Sequence, residues 1–309
     1  MSFYSNLFVK HIKNIKNIKN IKYIRYSHNY KLLDGKFVSN IILNNIKNNI
    51  ETNNYKITLN SVVVGENPDS LKYINIKNKV CNQLNIKNNV LYFNKSISEK
   101  ELIQKINIMN NDKNINAILI QSPLPNHINS HNVFSIIDNK KDVDCFNSTN
   151  IGNLYYDKNN IVPCTPKGII KLLDYYNIDI VGKHIVIIGS SNIVGKPLSL
   201  LLSNRNSTTT LCNKDTIDIK DITRKADIII SACGQKELID KTWIGNKKPV
   251  IVDVGINIVN KKIYGDVNFN SVKNEVSYIT PVPGGVGPMT ISMLMLNIIE
   301  LYEKFHLNR

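Results

Sequence analysis

The segment that decides the fold is His184–Pro197, which reads HIVIIGSSNIVGKP. His184–Ile188 is an apolar run typical of a buried parallel strand. Gly189 and Gly195 then bracket a short turn before a helical pattern begins, and a helix starting there directs N–H groups and partial positive charge at a phosphate. The strict G-x-G-x-x-G spacing is not met, because Ser191 stands where the second glycine is expected. The context still predicts the strand, turn and helix of a dinucleotide-binding unit.

Apolar runs alternate with helical patterns on both sides of this segment. Such alternation predicts parallel strands covered by helices, in two successive α/β units. The polar stretch Asn147–Pro163 between them is predicted to be a linking loop. The predicted strands are Lys56–Gly65, Val90–Phe93, Ile115–Gln121, His184–Gly189, Thr208–Cys212, Ala226–Ala232, Val250–Val254 and Ser277–Thr280, and the predicted helices are Ser70–Leu84, Ser98–Met109, Pro166–Tyr176, Ile193–Leu202 and Met289–Phe305.

Composition excludes several classes of protein. With 309 residues and 42% hydrophobic content, the chain is not wholly disordered. No stretch approaches the ~20 uninterrupted apolar residues of a spanning helix, so we expect no membrane partner. The net charge of +15 suits an anionic ligand. No basic run with interleaved aromatics occurs in the body of the chain, so we expect no nucleic-acid partner.

The N-terminal extension, residues 1–32, is basic and nearly free of other signals. The unit Ile-Lys-Asn repeats across His11–Lys22, and no acidic residue occurs before Asp34. One interpretation is low-complexity sequence, and the other is an organellar targeting segment. Localisation is accordingly predicted as cytoplasmic or mitochondrial/organellar, and the extension is set apart from the fold.

The cysteines and histidines predict no metal site. The five cysteines are odd in number and form no C-x-x-C pair, and the six histidines are scattered. A disulfide scaffold or zinc site is therefore not expected, and a reducing compartment fits better.

The end of the second strand of the dinucleotide unit bears on the choice of cofactor. An NAD site usually has an acid there to hold the ribose 2′-hydroxyl. Here Cys212 is followed by Asn213, Lys214, Asp215 and Thr216. Lys214, with the hydroxyls of Ser190 and Thr216, would receive a 2′-phosphate, whereas Asp215 would hold a free hydroxyl. We predict NADP, with NAD as the alternative.

Three polar residues in the first unit are candidates for chemistry. Tyr73 and Lys77 lie four residues apart, on one face of a predicted helix. Burial disfavours the charged form of a lysine, which would suit it to proton transfer at neutral pH. Gln121 ends a strand, and parallel sheets bind ligands beyond their strand carboxyl ends. Its amide would hydrogen-bond a neighbouring ammonium or a substrate.

Two further stretches are candidates for ligand binding. Asp142 and Asp144 flank Val143, and a carboxylate there would hold a heterocycle with N–H donors or cap a turn. Pro281–Pro288 contains three prolines and three glycines. Such a loop is rigid and also lets the backbone approach a flat ligand before a helix begins.

Together these segments closely resemble the bifunctional methylenetetrahydrofolate dehydrogenase/cyclohydrolase family, called FolD in bacteria. The resemblance runs from about Leu33 to the C-terminal helix, with order and spacing preserved. The matching blocks are Leu33–Lys36, Val64–Lys77, Ile120–Pro125, Lys141–Asp144, Pro163–Gly168, Gly189–Pro197, Asp253–Asn257, Gly265–Val267 and Thr280–Thr290.

The resemblance implies two reactions at one site. 5,10-Methylenetetrahydrofolate would be oxidised to the methenyl form with NADP, or alternatively NAD, and the methenyl form hydrolysed to 10-formyltetrahydrofolate. Lys77 would be the key residue of hydrolysis, supported by Gln121 and Tyr73, while Asp144 would bind the pterin. The remaining assignments are substrate binding by Tyr73, Pro283, Gly284 and Gly285, and cofactor binding by Gly189, Ser190, Ser191, Val194, Gly195, Lys214, Thr216, Gly255 and Ile256.

Some residues depart from the family pattern. The family commonly has Arg in place of Ser190 and a His-Ser pair in place of Asn213-Lys214, so Lys214 would compensate as a point charge. It usually has Leu where Ser122 stands and Gly where Cys145 stands. The cysteine is expected to crowd the turn beside Asp144.

We therefore expect a two-domain α/β enzyme. A catalytic domain, 33–155, would be completed by the C-terminal helix, 284–309, and a Rossmann dinucleotide domain would span 156–283. The resemblance implies a homodimer, and the basic body suits a polyglutamylated folate. The alternatives are a monofunctional enzyme with this fold and a non-enzymatic nucleotide- or RNA-binding protein.

Overall fold

The computed structural model describes residues 30–158 and 161–307 of the chain. Most of the predicted N-terminal extension lies outside these residues. The elements in chain order are β1 (Lys31–Leu32), α1 (Gly35–Asn53), β2 (Thr58–Val64), α2 (Pro68–Gln83), β3 (Lys87–Phe93), α3 (Glu99–Asn111), β4 (Ala117–Ile120), α4 (Ser130–Ser135), α5 (Ser148–Tyr155), α6 (Cys164–Tyr175), β5 (His184–Ile188), α7 (Gly195–Asn204), β6 (Thr208–Cys212), α8 (Ile219–Arg224), β7 (Ile228–Ser231), a 3₁₀ turn (Lys241–Trp243), β8 (Val250–Asp253), β9 (Asn257–Val259), β10 (Lys262–Tyr264), α9 (Phe269–Val272), β11 (Tyr278–Ile279) and α10 (Val286–Phe305).

Two parallel sheets organise the described residues. The smaller has the order β3–β2–β4, and the larger has the order β1–β11–β8–β7–β5–β6. The central strands β5, β7 and β8 are almost wholly buried. Helices cover both faces of such sheets, so their strands are continuous apolar runs rather than alternating ones. The fold class expected from the sequence is therefore confirmed.

The predicted strands and helices are confirmed, with ends that differ by a few residues. The expected linking loop is wrong in part, because Ser148–Tyr155 forms helix α5. Its start is capped by Asn147, whose side chain accepts a hydrogen bond from the N–H of Thr149 at 2.7 Å. Asparagine and serine are typical of both loops and helix N-caps, so composition alone favours a loop in this polar stretch.

Several elements were not predicted. They are the long helix α1, the antiparallel hairpin β9–β10, the edge strand β1, the short helices α4, α8 and α9, and the 3₁₀ turn. Strand β1 belongs to the stretch that was set apart as an extension, yet it pairs with β11 in the larger sheet. Across the described ranges, no helix is both long and apolar enough to cross a membrane.

Helix α10 joins the cores of the two sheets. Its first turn, Val286 and Met289, packs in the apolar cluster beneath the larger sheet. Further along, Met293 and Ile298 pack in the cluster beneath the smaller sheet. Burial of one such side chain contributes ~1.5–3 kcal/mol, so this helix fixes the loop before it relative to both sheets.

Candidate active site

The predicted catalytic trio lies at the carboxyl edge of the smaller sheet. Helix α2 carries Tyr73 and Lys77 one turn apart, and both are half-buried. Lys77 Nζ donates a hydrogen bond to Gln121 Oε1 at 3.0 Å. Gln121 Nε2 donates to the carbonyl of Ser122 at 2.7 Å, which fixes the amide with its oxygen towards the amine. The structure thus brings the predicted ammonium and amide together.

Lys141 anchors the acidic block that follows. Its side chain is buried, and Nζ donates to three carbonyls at the end of α3, those of Met109, Asn110 and Asp112 at 3.0, 2.7 and 2.7 Å. A cation at a helix C-terminus satisfies carbonyls that lack intrahelical partners. The position of the segment that carries the two acids is therefore set by α3.

The two acids of this block have different environments. Asp142 is fully buried and accepts hydrogen bonds from the N–H of Asn147 at 2.8 Å and from Asn150 Nδ2 at 3.0 Å. Burial raises the pKa of Asp142 to about 6. Asp144 is only half-buried. Asp142 therefore holds the loop, and Asp144 is the acid available to a ligand.

Cys164, the first residue of α6, lies within electrostatic range of both Asp144 and Lys77. Burial, followed by the nearby Asp144 carboxylate, raises the pKa of the Cys164 thiol well above its ordinary value, while the charge of Lys77 opposes that shift. Both charged groups are thus close to one thiol. The sequence placed Cys164 in a matching block but gave it no role, since a cysteine at a helix start looks like an ordinary core residue.

Cys145, expected to crowd the turn beside Asp144, points elsewhere. Its backbone has a φ of 62°, in the left-handed region that favours glycine. The side chain is buried in the apolar core, and Sγ donates to the carbonyl of Ile161 at 3.3 Å. The cysteine therefore fills the core behind the turn.

The loop containing Pro283, Gly284 and Gly285 is held by α1. The N–H of Lys36 donates to the carbonyl of Gly284 at 2.8 Å. A side chain at Gly35 would collide with the carbonyl of Gly285, so glycine is needed for this close approach. The hydroxyls of Thr165 and Thr290 lie 3.0 Å apart, which joins the start of α6 to the start of α10.

The turn after β5 has the shape of a phosphate-binding site. Gly189 has a φ of 115°, and a side chain at Gly195 would collide with the carbonyl of Gly189. The N–H of Val194 donates to Ser191 Oγ at 3.1 Å, which closes the turn. Helix α7 starts without a side-chain cap in this described segment. The N–H of Lys196 donates to the carbonyl of Ser191 at 3.1 Å and Pro197 has no N–H, so the N–H of Gly195 is the first-turn donor that is left for an anion. This geometry fits the pyrophosphate of a dinucleotide.

The turn after β6 lies beside it, because the N–H of Gly189 donates to the carbonyl of Cys212 at 2.9 Å. Thr216 Oγ1 accepts from the N–H of Asn213 at 2.9 Å, so this hydroxyl folds the turn. Lys214 is exposed at the tip. Of the three groups predicted for a 2′-phosphate, Lys214 is the charged one, and Ser190 is half-buried in the adjacent turn.

Gly255 and Ile256 follow β8 and are supported by two buried acids. Asp253 Oδ1 accepts from the N–H of Gly255 at 3.0 Å, and burial raises the pKa of Asp253 to about 7. Asp266 accepts hydrogen bonds from backbone groups after β7 and from Asn257 Nδ2 at 3.0 Å. This acid pair, which the sequence did not single out, ties the turn after β7 to the turn after β8.

The predicted folate loop follows β11, and the predicted cofactor residues Gly255 and Ile256 follow β8, so the two leave neighbouring strands. Thr280, at the end of β11, accepts a hydrogen bond from the N–H of Asp253 at 2.7 Å. The turns after β6 and β8 are instead three strand spacings apart, or about 14 Å. They cannot contact the same group, but an extended dinucleotide would reach from one to the other.

Comparison with models of known families shows which protein family includes this chain. A model of the tetrahydrofolate dehydrogenase/cyclohydrolase catalytic domain matches residues 33–144, and a model of the NAD(P)-binding domain of the same family matches residues 163–306. The chain belongs to the tetrahydrofolate dehydrogenase/cyclohydrolase family. The resemblance inferred from the sequence motifs is confirmed, as is an NAD(P)-binding domain.

Individual relatives cover nearly the whole described chain. The bifunctional protein FolD of Sulfurihydrogenibium sp. is 46% identical over 279 residues, 88% of this chain and 98% of that protein. The FolD crystal structure from Campylobacter jejuni has a TM-score of 0.85 and 41% identity, covering 89% of this chain and 99% of that one. A Trypanosoma brucei FolD, solved with NADP and an inhibitor, has a TM-score of 0.85 at 31% identity, covering 89% of this chain and 98% of that one.

Proposed function

We propose that this chain oxidises 5,10-methylenetetrahydrofolate to the methenyl form with NADP and then hydrolyses the methenyl form to 10-formyltetrahydrofolate. The observation that carries the proposal is the hydrogen bond between Lys77 Nζ and Gln121 Oε1, at 3.0 Å, within electrostatic range of the Cys164 thiol, which also interacts with Asp144. An amine held by an amide, next to an acid that can bind a heterocycle, suits a substrate with a reactive carbon on a pterin.

Substrate orientation is assigned to Asp144, Tyr73 and the loop at Gly284–Gly285. The Asp144 carboxylate would accept two N–H groups of the pterin, a pairing that fixes the plane of the ring. The Tyr73 ring would stack on that plane. The loop, held by α1, would direct the one-carbon unit towards the dinucleotide. NADP supplies the hydride acceptor, and it fits the glycine turn and uncapped helix start described above.

Hydrolysis is assigned to Lys77 and Gln121. The Lys77 amine would take a proton from the water that attacks the cationic methenyl carbon. That proton would pass to N5 as the bond between the carbon and N5 breaks, which leaves the formyl group on N10. Gln121 fixes the amine in place through a neutral carbonyl oxygen. Because the same amine lies beside the bridge carbon before and after oxidation, the two reactions can share one site without release of the intermediate.

Preference for NADP over NAD is assigned to Lys214, at the tip of the turn after β6. Its ammonium would provide a point charge for the 2′-phosphate in the absence of an arginine at Ser190.

We further propose a homodimer formed through the dinucleotide domain, a polyglutamylated folate substrate, domain limits of 33–155 with 284–309 and of 156–283, and a cytoplasmic or organellar location.

Steady-state kinetics test the proposal directly. NAD and NADP reduction by methylenetetrahydrofolate and the decay of methenyltetrahydrofolate are measured separately on the full chain. We expect both reactions, with the higher kcat/KM for NADP. Only one reaction would indicate a monofunctional enzyme. Neither reaction, with tight RNA binding instead, would support the non-enzymatic alternative and overturn the proposal.

A further inference from the structure

A chain of buried polar groups leads from the C-terminal helix to the folate site. Asn297, on α10, is completely buried, and Lys167, on α6, is nearly so. Lys167 Nζ donates to Asn297 Oδ1 at 2.7 Å and to Glu300 Oε2 at 2.6 Å. Burying an amide and an ammonium is costly unless every polar atom has a partner, so such a group calls for a specific explanation.

Lys167 fixes which way the Asn297 amide faces. An ammonium can only donate hydrogen bonds, so the atom of Asn297 that faces it must be the oxygen. The amide nitrogen then faces the other way, where Nδ2 donates to the carbonyls of Val143 and Val162 at 2.8 and 2.9 Å. With the amide reversed, an NH₂ group would face the ammonium and an oxygen would face two carbonyls, so that orientation is excluded.

One of those carbonyls belongs to the segment that carries Asp144, and the other to the segment that carries Cys164. Val143 immediately precedes Asp144, and Val162 lies two residues before Cys164. The same Nδ2 lies 3.5 Å from Cys164 Sγ. One amide therefore ties together the acid assigned to the pterin and the thiol beneath it, although neither segment is adjacent to α10 in sequence.

We propose that Asn297 and Lys167 are positioning residues for folate, which set the location of the Asp144 carboxylate through the Val143 carbonyl and the Cys164 thiol. This inference builds on the proposed function, since it takes Asp144 as the group that binds the pterin. Lys167 acts through Asn297, and Asn297 acts through the backbone on either side of the site. The C-terminal helix thereby controls affinity for folate from behind the pocket.

The test is a set of variants assayed on the full chain for turnover and for binding of methenyltetrahydrofolate. Asn297→Asp keeps the size and the acceptor for Lys167 but cannot donate to the two carbonyls. We expect KM for folate to rise about tenfold, with KM for the dinucleotide changed less than about twofold. Lys167→Met should act in the same direction, and Lys167→Gln, which restores a donor, should recover part of the loss.

A double variant separates positioning from general destabilisation. If Asn297 acts through Asp144, then Asp144→Asn combined with Asn297→Asp should raise KM no further than Asp144→Asn alone, whereas independent structural effects would multiply. Ser292→Ala, on the same helix, removes a buried hydroxyl that bonds within the helix and should leave the folate KM unchanged.

The outcomes distinguish this inference from the function on which it depends. If the wild-type chain neither turns over nor binds folate, the proposed function fails, and this inference fails with it. If the wild type is active but Asn297→Asp and Lys167→Met retain its folate KM, the positioning role alone is overturned. Equal increases in the folate and dinucleotide KM would also contradict it, because they indicate a loss of structure rather than a displaced carboxylate.

Discussion

The folate side and the dinucleotide side of the candidate active site are built in different ways. On the folate side, charged side chains are fixed by other side chains, as in the contacts of Lys77 with Gln121 and of Lys167 with Asn297. On the dinucleotide side, the groups that face the ligand are mainly backbone. Gly189 and Gly195 shape the turn, while Ser191, Lys214 and Ile256 are exposed.

This difference predicts that the two sides tolerate substitution to different degrees. Backbone N–H groups are the same in every sequence, so a phosphate turn tolerates substitution as long as the glycines allow close approach. A side-chain network tolerates far less, because loss of one partner leaves another buried and unsatisfied. We therefore expect substitutions on the folate side to impair folate binding or chemistry, and those on the dinucleotide side to alter cofactor affinity.

The largest expected effect is that of Lys77→Ala. Methenyltetrahydrofolate hydrolysis should fall about 10²–10⁴-fold, since the amine assigned to proton transfer is removed. Dinucleotide affinity, measured by fluorescence titration, should stay unchanged. Lys79→Ala is the matched control, because Lys79 lies on the same helix but is exposed. Unimpaired hydrolysis by the Lys77 variant would break the proposed division between the two sides.

Gly195→Ala tests the dinucleotide side, where we expect cofactor affinity to fall and hydrolysis to persist. The added methyl group would collide with the carbonyl of Gly189, and relief of that clash must distort the turn. Overpacking of this kind costs ~1–3 kcal/mol, so KM for the dinucleotide should rise about 5- to 150-fold.

The matched control for that substitution is Gly152→Ala, in helix α5. A side chain at Gly152 meets nothing within 4 Å, so this variant should keep wild-type kinetics. Hydrolysis of methenyltetrahydrofolate should persist in both glycine variants, because the folate side is untouched. A Gly195 variant that lost hydrolysis but kept cofactor affinity would contradict the comparison.

Most of the fold follows from hydrophobic periodicity, because buried parallel strands are short apolar runs that differ plainly from their surroundings. Helix α1 escaped prediction since Ile, Asn and Lys dominate it as they do the low-complexity extension, and asparagine is a poor helix former. Strand β1 has only two residues, and its partner β11 lies at the other end of the chain. No local pattern specifies such a pairing.

The candidate site could be predicted only where motif and topology agree. Lys77 and Gln121 both lie near strand carboxyl ends, so their proximity follows from a parallel sheet. The roles of Cys164 and Asn297 depend on how α6 and α10 pack, which sequence periodicity does not specify. Asp253 and Asp266 likewise look like strand-end turn residues until the fold brings them together.

Asp253, one of the two buried acids, should make the stability of the fold depend on pH. The pKa of Asp253 in the folded chain, about 7, lies above its ordinary value of 3.8, so the folded state binds a proton more readily than the unfolded chain. Asp253 therefore favours folding below about pH 4, and this contribution is lost as pH rises through 7. The substituted side chain of the variant Asp253→Asn stays neutral at every pH. The free energy of unfolding of this variant, relative to that of wild type, should therefore rise by roughly 2–4 kcal/mol between pH 4 and pH 8.

Urea unfolding at a series of pH values measures that gain. Asp227→Asn serves as the control, because the N–H of His184 and, after it, Lys247 hold the pKa of Asp227 below its ordinary value. Its difference from wild type should thus be constant above pH 4. A pH-independent difference for Asp253→Asn would show that this acid is ionised in the folded state, and that the turn after β8 relies on a charged pair.

The smallest expected effect is that of Lys214→Ala. This variant tests whether the dinucleotide side, which otherwise uses mainly backbone groups, also uses an exposed charged side chain. If Lys214 supplies the charge for a 2′-phosphate, KM for NADP should rise about tenfold while KM for NAD stays within about twofold, since NAD lacks that group. Lys183→Ala, exposed at the opposite edge of the sheet, corrects for the general loss of positive charge. Equal changes for both cofactors would assign NADP preference to groups other than this side chain.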